Sequence, residues 1–337
     1  MPVKKDKSPE IKRPPVLFKQ TQAIVNRIQE KIDGDFLSYW CSDKTRIIME
    51  DVVAFYDTLK NKKKSKRLYL FIKSDGGNGQ ASLRITHLLR EHYEEVIALI
   101  PLACASAATM LALGADKIVM GSLAYLSSVD TSIRHDLSPV DKDNDCVSVS
   151  QLELSRVLKL WAETMQSGDT NPYNALYPHI HPLVFGAVDR ASSLSIKITT
   201  EILSYHMDDL EKAEAISQHL NSAYPTHGYP ITYREAAKIG LNVEKMSEEL
   251  NELLIQINNI YSEMAQSALT DYDELNYHDN EILKIVEGNA VQLFYQLDKD
   301  MHYRTEERRW VPMNDESSWR RTTEGESGIV ETKFYIN

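Results

Sequence analysis

Arg67-Leu-Tyr-Leu-Phe-Ile-Lys73, then Ser74-Asp-Gly-Gly-Asn-Gly79, decide the fold. The first run is apolar on both alternating faces, which is the pattern of a parallel strand covered by helices on its two sides. Glycines follow at once, and Ala81 to Tyr93 then carries helical spacing. Val96 to Leu102 is a second apolar strand, Cys104 to Gly114 a helix of small residues closed by glycine, and Lys117-Ile-Val-Met120 a third strand. Strand, helix, strand, helix, strand with short links predicts a right-handed parallel α/β core.

Upstream, Ile24, Ile28 and Ile32 set a helix over Thr21 to Ile32, Phe36 to Trp40 reads as a short strand, and Ile47 to Leu59 as an amphipathic helix. Lys60 to Lys66 is a solvated basic loop, because consecutive like charges resist burial. Downstream, residues 151–222 read as helical, with Ile196 to Leu210 as one long helix over the sheet or between subunits. Tyr233 to Gly240 is a short helix, and Val243 leads into a long helix through Met264. The stretch 266–337 is acidic and aromatic, with strands expected at Arg309–Met313 and Ile329–Ile336.

The 337 residues, 42% of them hydrophobic, can fill a real core. With 38 basic and 49 acidic residues the formal charge is −11, which disfavours nucleic acid and anionic lipid as partners. Cys41, Cys104 and Cys146 are odd in number and lack CxxC spacing, so neither a disulfide framework nor a zinc knuckle is expected and a reducing cytoplasm fits. No run approaches the roughly 18 apolar residues of a membrane span. Residues 1–18, basic and proline-bearing, read as a flexible arm.

Gly76-Gly77 at the end of one strand, and Ser106 opening a helix after the next, make a constellation suited to acyl transfer. Glycines expose backbone N–H groups without Cβ obstruction, and a serine at a helix start can have a further N–H beside it. Taken singly, the glycines could be an ordinary βα turn and Ser106 an N-cap. His179 and His181 share a two-residue spacing, but a third metal ligand is not evident nearby. Gly76-Gly77-Asn78-Gly79 is not followed by Gly-Lys-Ser/Thr, so a P-loop is not supported. No cofactor is expected.

Three segments together resemble a family: Ser74-Asp-Gly-Gly77, Cys104 through Gly121, and His227-Gly-Tyr-Pro-Ile-Thr through Leu241. They look like the serine dehydrogenase proteinases, relatives of the Clp protease proteolytic subunit and the bacterial signal peptide peptidases, over roughly residues 20 to 250 of this chain. The resemblance implies a Clp/crotonase superhelix of parallel strands with a helical arm. On that footing residues 19–250 form the peptidase domain and 251–337 a C-terminal helical and β extension. It also implies an ATP-independent serine endopeptidase that acts on peptides or proteins and assembles as a homo-oligomer; whether an unidentified partner protein delivers its clients is left open by the sequence.

Carried over by position, the resemblance makes Ser106 the nucleophile and the Gly77 and Ala107 amides its oxyanion donors. Asp130 falls where Clp proteases place their histidine, so a swapped triad of Ser106, Asp130 and His227 is expected, since chain order varies between triads. Lys159 is the rival base, as signal peptide peptidases pair serine with a lysine from a later helix; His135 is a lesser competitor. Asp75 stands where the family has proline. A catalytically silent scaffold and a crotonase-like acyl-CoA enzyme are the alternative functions.

Overall fold

The computed structural model describes residues 10–60, 65–142, 145–164, 171–325 and 328–334. Its first half runs α1 (Phe18–Gln29), β1 (Asp35–Cys41), α2 (Met49–Leu59), β2 (Ser65–Lys73), α3 (Gly79–His92), β3 (Tyr93–Ile100), β4 (Ala103–Cys104), α4 (Ala107–Leu113), β5 (Lys117–Met120) and β6 (Tyr125–Leu126). The expected small-residue helix thus begins three residues late, because Ala103-Cys104 is drawn into parallel pairing with Tyr125-Leu126 and leaves Ser106 at the turn.

The middle holds β7 (Ser132–Ile133), β8 (Val149–Ser150), α5 (Gln151–Thr164), α6 (Pro172–Leu176), α7 (Pro182–Ser204), α8 (Leu210–Ser222), α9 (Tyr233–Lys238), β9 (Val243–Lys245) and α10 (Glu248–Met264). The helix expected over Ile196–Leu210 is two helices. Pro182 opens α7 at a position where its missing N–H costs nothing, and Asp209 opens α8 by accepting from the Lys212 amide at 3.0 Å. Val243 likewise belongs to an edge strand, and α10 starts only after the Ser247 cap.

Residues beyond 266 form β10 (Thr270–Asp273), β11 (Asn276–Gly288), β12 (Val291–Arg304), β13 (Arg309–Asp315), β14 (Ser318–Gly325) and β15 (Gly328–Phe334). Six strands stand where two were expected. They continue the core: one eleven-stranded sheet runs β15-β14-β12-β11-β1-β2-β3-β5-β9, with β10 on β11 and β13 on β12. From β1 to β9 the neighbours are parallel, whereas β11 joins β1 antiparallel with Leu37 opposite Gly288.

Alternation along the strands sorts the core into two layers. Leu68, Leu70 and Ile72 of β2 face α2, α3 and α4, while Phe71, with Phe36 and Trp40 of β1, packs against Val25 and Ile28 of α1 and Leu254, Ile257 and Tyr261 of α10. Each such full burial contributes about 1.5–3 kcal/mol. Residues 1–9 of the expected arm, and 61–64 of the basic loop, lie outside the described residues. From residue 10 the chain is laid on the C-terminal strands: the Lys12 amide donates to Thr270 Oγ1 at 2.9 Å, and Pro14 and Phe18 are buried.

Candidate active site

Two parallel strands deliver the first elements of the site at their carboxyl ends, where open α/β sheets place their ligands. After β2 the chain turns through Gly76 at φ 101° and Gly77 at φ 144°, a conformation L side chains rarely adopt. A Cβ on Gly76 would stand 2.6 Å from the Ser106 Cβ and 2.7 Å from the Ala105 carbonyl oxygen. The glycine is therefore needed for the close approach of the two turns. Ser74 secures that approach, since its amide donates to the Ala103 oxygen at 3.2 Å and its carbonyl accepts from the Ala105 amide at 3.0 Å.

Ser106 itself sits at φ 54°, ψ −122°, immediately before α4. A non-glycine residue held there stores on the order of 1–3 kcal/mol of backbone strain, which persists only when the surroundings enforce it. The surroundings are hydroxyl-rich. The Ser106 amide donates to Ser127 Oγ at 2.8 Å, the Ser127 amide to Thr109 Oγ1 at 3.1 Å, and Thr109 Oγ1 to the Cys104 oxygen at 2.8 Å. Among the described residues, the Gly77 and Ala107 amides have no acceptor. Both residues line the same cavity as Ser106.

That cavity, about 540 Å³, also contains Asp130 and His227. The two are 97 residues apart in the chain and meet directly: His227 Nδ1 lies 2.7 Å from Asp130 Oδ1. Asp130 is buried and His227 half-exposed. Burial pushes the Asp130 carboxyl up, but its hydrogen bonds from His227 and Ser128 outweigh this and leave it below the usual carboxylate value; the bond to Asp130 holds the His227 imidazole above its ordinary value against its own desolvation. No hydrogen bond joins Ser106 to His227 among the described residues.

Ser128 is a contributor that sequence reading missed. Its hydroxyl reaches both Asp130 Oδ1 and, at 3.1 Å, the His227 carbonyl oxygen, so it ties the pair on its backbone side as well as its ring side. Its only sequence signal was adjacency to Asp130. Ser195 of α7 donates to the Val129 oxygen at 2.5 Å, which anchors the Asp130 segment beneath the helix, and Leu194 and Ile198 of the same helix give the cavity an apolar wall. Asp75 stands at the rim, 3.9 Å from Arg46.

The rival residues lie elsewhere. Lys159, on α5, has a side chain 77% exposed, 4.0 Å from Glu163, and is not among the cavity's lining residues. Solvation at that level supplies none of the desolvation a lysine base requires. His135 Nδ1 accepts from the Leu137 amide within its own loop, and His181 Nδ1 accepts from the Leu183 amide to cap α7. Among the described residues no group of three His, Cys, Asp or Glu side chains could hold a metal. The Cys41 thiol is buried and pushed up to about 11, far from a reactive thiolate.

A sequence model of the Clp protease family matches residues 19–125. The matched span holds Gly76, Gly77, Ser106 and Ala107, and stops before Asp130, Lys159 and His227. Two proteins of Methanocaldococcus jannaschii, both described as uncharacterized, are similar in sequence. MJ0137 is 26% identical over 209 residues, 62% of this chain and 64% of that protein; MJ1495 is 27% identical over 191 residues, 56% of each. The chain thus spans less than two thirds of either relative's length.

Two solved structures of the 1510-N membrane-bound stomatin-specific protease are also similar, at 16% identity. A lysine-to-alanine variant with a substrate peptide has a TM-score of 0.36, over 62% of this chain and 74% of that one. A serine-to-alanine variant has a TM-score of 0.37, over 66% and 82%. The fold is of the Clp/crotonase kind that the motifs implied, a mixed α/β architecture around a large sheet whose β1, β2, β3, β5 and β9 run parallel. No helix among the described residues is long and apolar enough to cross a membrane.

Proposed function

With residues 19–125 of the Clp protease kind, we propose that this protein is a serine endopeptidase whose nucleophile is Ser106, whose base is His227 and whose orienting acid is Asp130. One observation carries the reading: a strained serine, two amides without acceptors and a hydrogen-bonded His–Asp pair line one cavity. Ser106 Oγ attacks the substrate carbonyl carbon while its proton passes to His227 Nε2, the ring nitrogen left free by the Asp130 contact. The carbonyl oxygen, now negative, accepts from the Gly77 and Ala107 amides. Collapse breaks the C–N bond, the leaving amine takes the proton from His227, and water then cleaves the acyl-enzyme by the same route. Asp130 stays ionised throughout and fixes the tautomer.

The chemistry needs neither ATP nor a cofactor. The same reading takes the protein as a cytoplasmic homo-oligomer, which mass by light scattering and cell fractionation test separately. The decisive experiment for the nucleophile is labelling with a fluorophosphonate probe. Wild type is expected to label and Ser106→Ala not to; equal labelling of the two, or none of either, overturns the assignment, and the second result favours a silent scaffold on the same fold.

A further inference from the structure

The interior of the sheet holds an ion pair that the peptidase chemistry does not use. Lys284 of β11 and Asp51 of α2 are 1% and 0% exposed, and Lys284 Nζ donates to both Asp51 oxygens at 2.8 and 2.9 Å. Two further donors converge on the same carboxylate: Tyr39 OH at 2.6 Å and the Ile48 amide at 2.8 Å. Desolvating two charges is expensive, and an apolar pair of similar volume is often no less stable. Core stability alone does not account for the pair.

What it touches next does. The Ile48 amide that Asp51 caps belongs to the turn entering α2, and the preceding residue forms a parallel bridge with Gly77. The Ile47 amide donates to the Gly76 oxygen at 2.8 Å, and the Asn78 amide donates to the Ile47 oxygen at 2.9 Å, so Ile47 grips Gly77 from both sides. The fit is close: a Cβ on Gly77 would lie 2.4 Å from the Ile47 oxygen and 2.5 Å from its nitrogen. The chain of contacts Lys284, Asp51, Ile48, Ile47, Gly77 therefore runs from the C-terminal sheet to a residue that lines the cavity and whose amide has no acceptor among the described residues.

We propose that the Asp51–Lys284 pair is a positioning device for the peptidase centre, through which the C-terminal antiparallel sheet fixes the Gly77 amide that receives the substrate oxyanion. The proposal rests on the peptidase reading for what the amide does, and on the structure alone for what holds it. It gives β11 a task that a packing strand does not have. A charged pair suits that task because a carboxylate accepting several hydrogen bonds in a dry interior tolerates little displacement.

The test uses the full chain and three variants: Lys284→Met, Asp51→Leu/Lys284→Met and Asp51→Asn/Lys284→Met. The Leu/Met pair removes the charges and the cap together while filling the space; the Asn/Met pair keeps an acceptor for Ile48. Amide hydrogen exchange of Ile47 and Asn78 is read against amides of Tyr93–Ile100, and kcat and KM are measured for cleavage of fluorescein-labelled casein. In the Leu/Met variant Ile47 and Asn78 are expected to exchange about tenfold faster with the β3 amides unchanged, and kcat to fall about a hundredfold at similar KM, the cost of misplacing a transition-state donor.

The Asn/Met variant is expected to recover most of both losses. If Lys284→Met does not fold, the two double variants decide the matter. A folded Leu/Met variant with wild-type exchange at Ile47 and Asn78, or with faster exchange spread evenly over the sheet, overturns the proposal. A wild type inert towards casein counts against the peptidase reading instead, and the exchange pattern still decides whether the pair holds the Gly77 turn.

Discussion

The parallel half of the sheet, β1, β2, β3, β5 and β9, and the antiparallel half, β10 to β15, are built on opposite principles although they share one ladder. In the parallel half the buried side chains are mostly apolar, among them Leu37, Leu68, Leu70, Phe71, Ile72, Ala98, Leu99 and Ile100, with Ser38 of β1 a buried polar exception that bonds to Tyr261. In the antiparallel half the interior itself is polar: Asn280, Lys284, Glu287, Gln292, Gln296, Arg320 and Thr322 are all buried. Among the described residues Glu287 has no cation against it. It accepts instead from Thr21, Gln22, Tyr261 and Gln292 at 2.6 to 2.9 Å. An apolar layer can present backbone amides and strained turns at its rim without competing hydrogen bonds inside. A polar layer fixes register, because each buried group has few acceptable partners.

The contrast breaks most sharply at the end of the parallel half where the proposed catalytic residues lie. His227→Ala is expected to cut casein hydrolysis about 10⁴-fold, as loss of a triad member does, while Lys159→Ala keeps activity within about twofold. The reverse outcome, an inactive Lys159→Ala beside an active His227→Ala, replaces the proposed triad with a Ser–Lys dyad. Gly77→Ala comes next. Its methyl would meet the Ile47 backbone and its φ of 144° disfavours any side chain, so activity should drop about 10²–10³-fold as the amide is displaced. Wild-type rates from a folded Gly77→Ala variant would remove Gly77 from the oxyanion hole.

Proton titration separates the halves by what it changes. Burial lifts the Glu287 carboxyl to about 7, only partly offset by its four donors. Because the folded value exceeds the unfolded one, the folded state keeps a proton that the unfolded state has lost between pH 4.5 and about 7. Stability therefore falls as pH rises through that window, by on the order of 3 kcal/mol, and levels off above it. Urea unfolding from pH 4.5 to 8 should show this slope in wild type and its loss in Glu287→Gln, whatever the variant's absolute stability. Identical slopes would mean that Glu287 does not titrate there.

The smallest expected effect is at His227, where Asp130 holds the imidazole above 6.5. A base must be neutral to act, so kcat/KM should rise with pH through a midpoint displaced upward from 6.5. A midpoint at or below 6.5 would show that the Asp130 contact is not maintained in the working enzyme.

How much of this was legible depended on whether a residue's environment was local. The runs at 67–73 and 96–102 announced parallel strands because two-sided burial selects uninterrupted apolar residues, and the Gly76-Gly77 turn and Ser106 could be read because βα turns are short-range events. The glycine turn and Ser106, two members of the proposed constellation, could thus be singled out in the sequence, with Asp130 and His227 reached only by resemblance. Their contact across 97 residues was settled by tertiary structure, since Leu126 pairs with Ile231 and brings the two loops together. So were the positive φ of Ser106, its close approach to Gly76, and the exposure of Lys159. The C-terminal strands stayed largely hidden for a further physical reason. Lys284 and Glu287 in a strand look like surface residues until the partners that neutralise them are known. Those partners, Asp51 from α2 and Thr21 and Gln22 from α1, lie more than two hundred residues away.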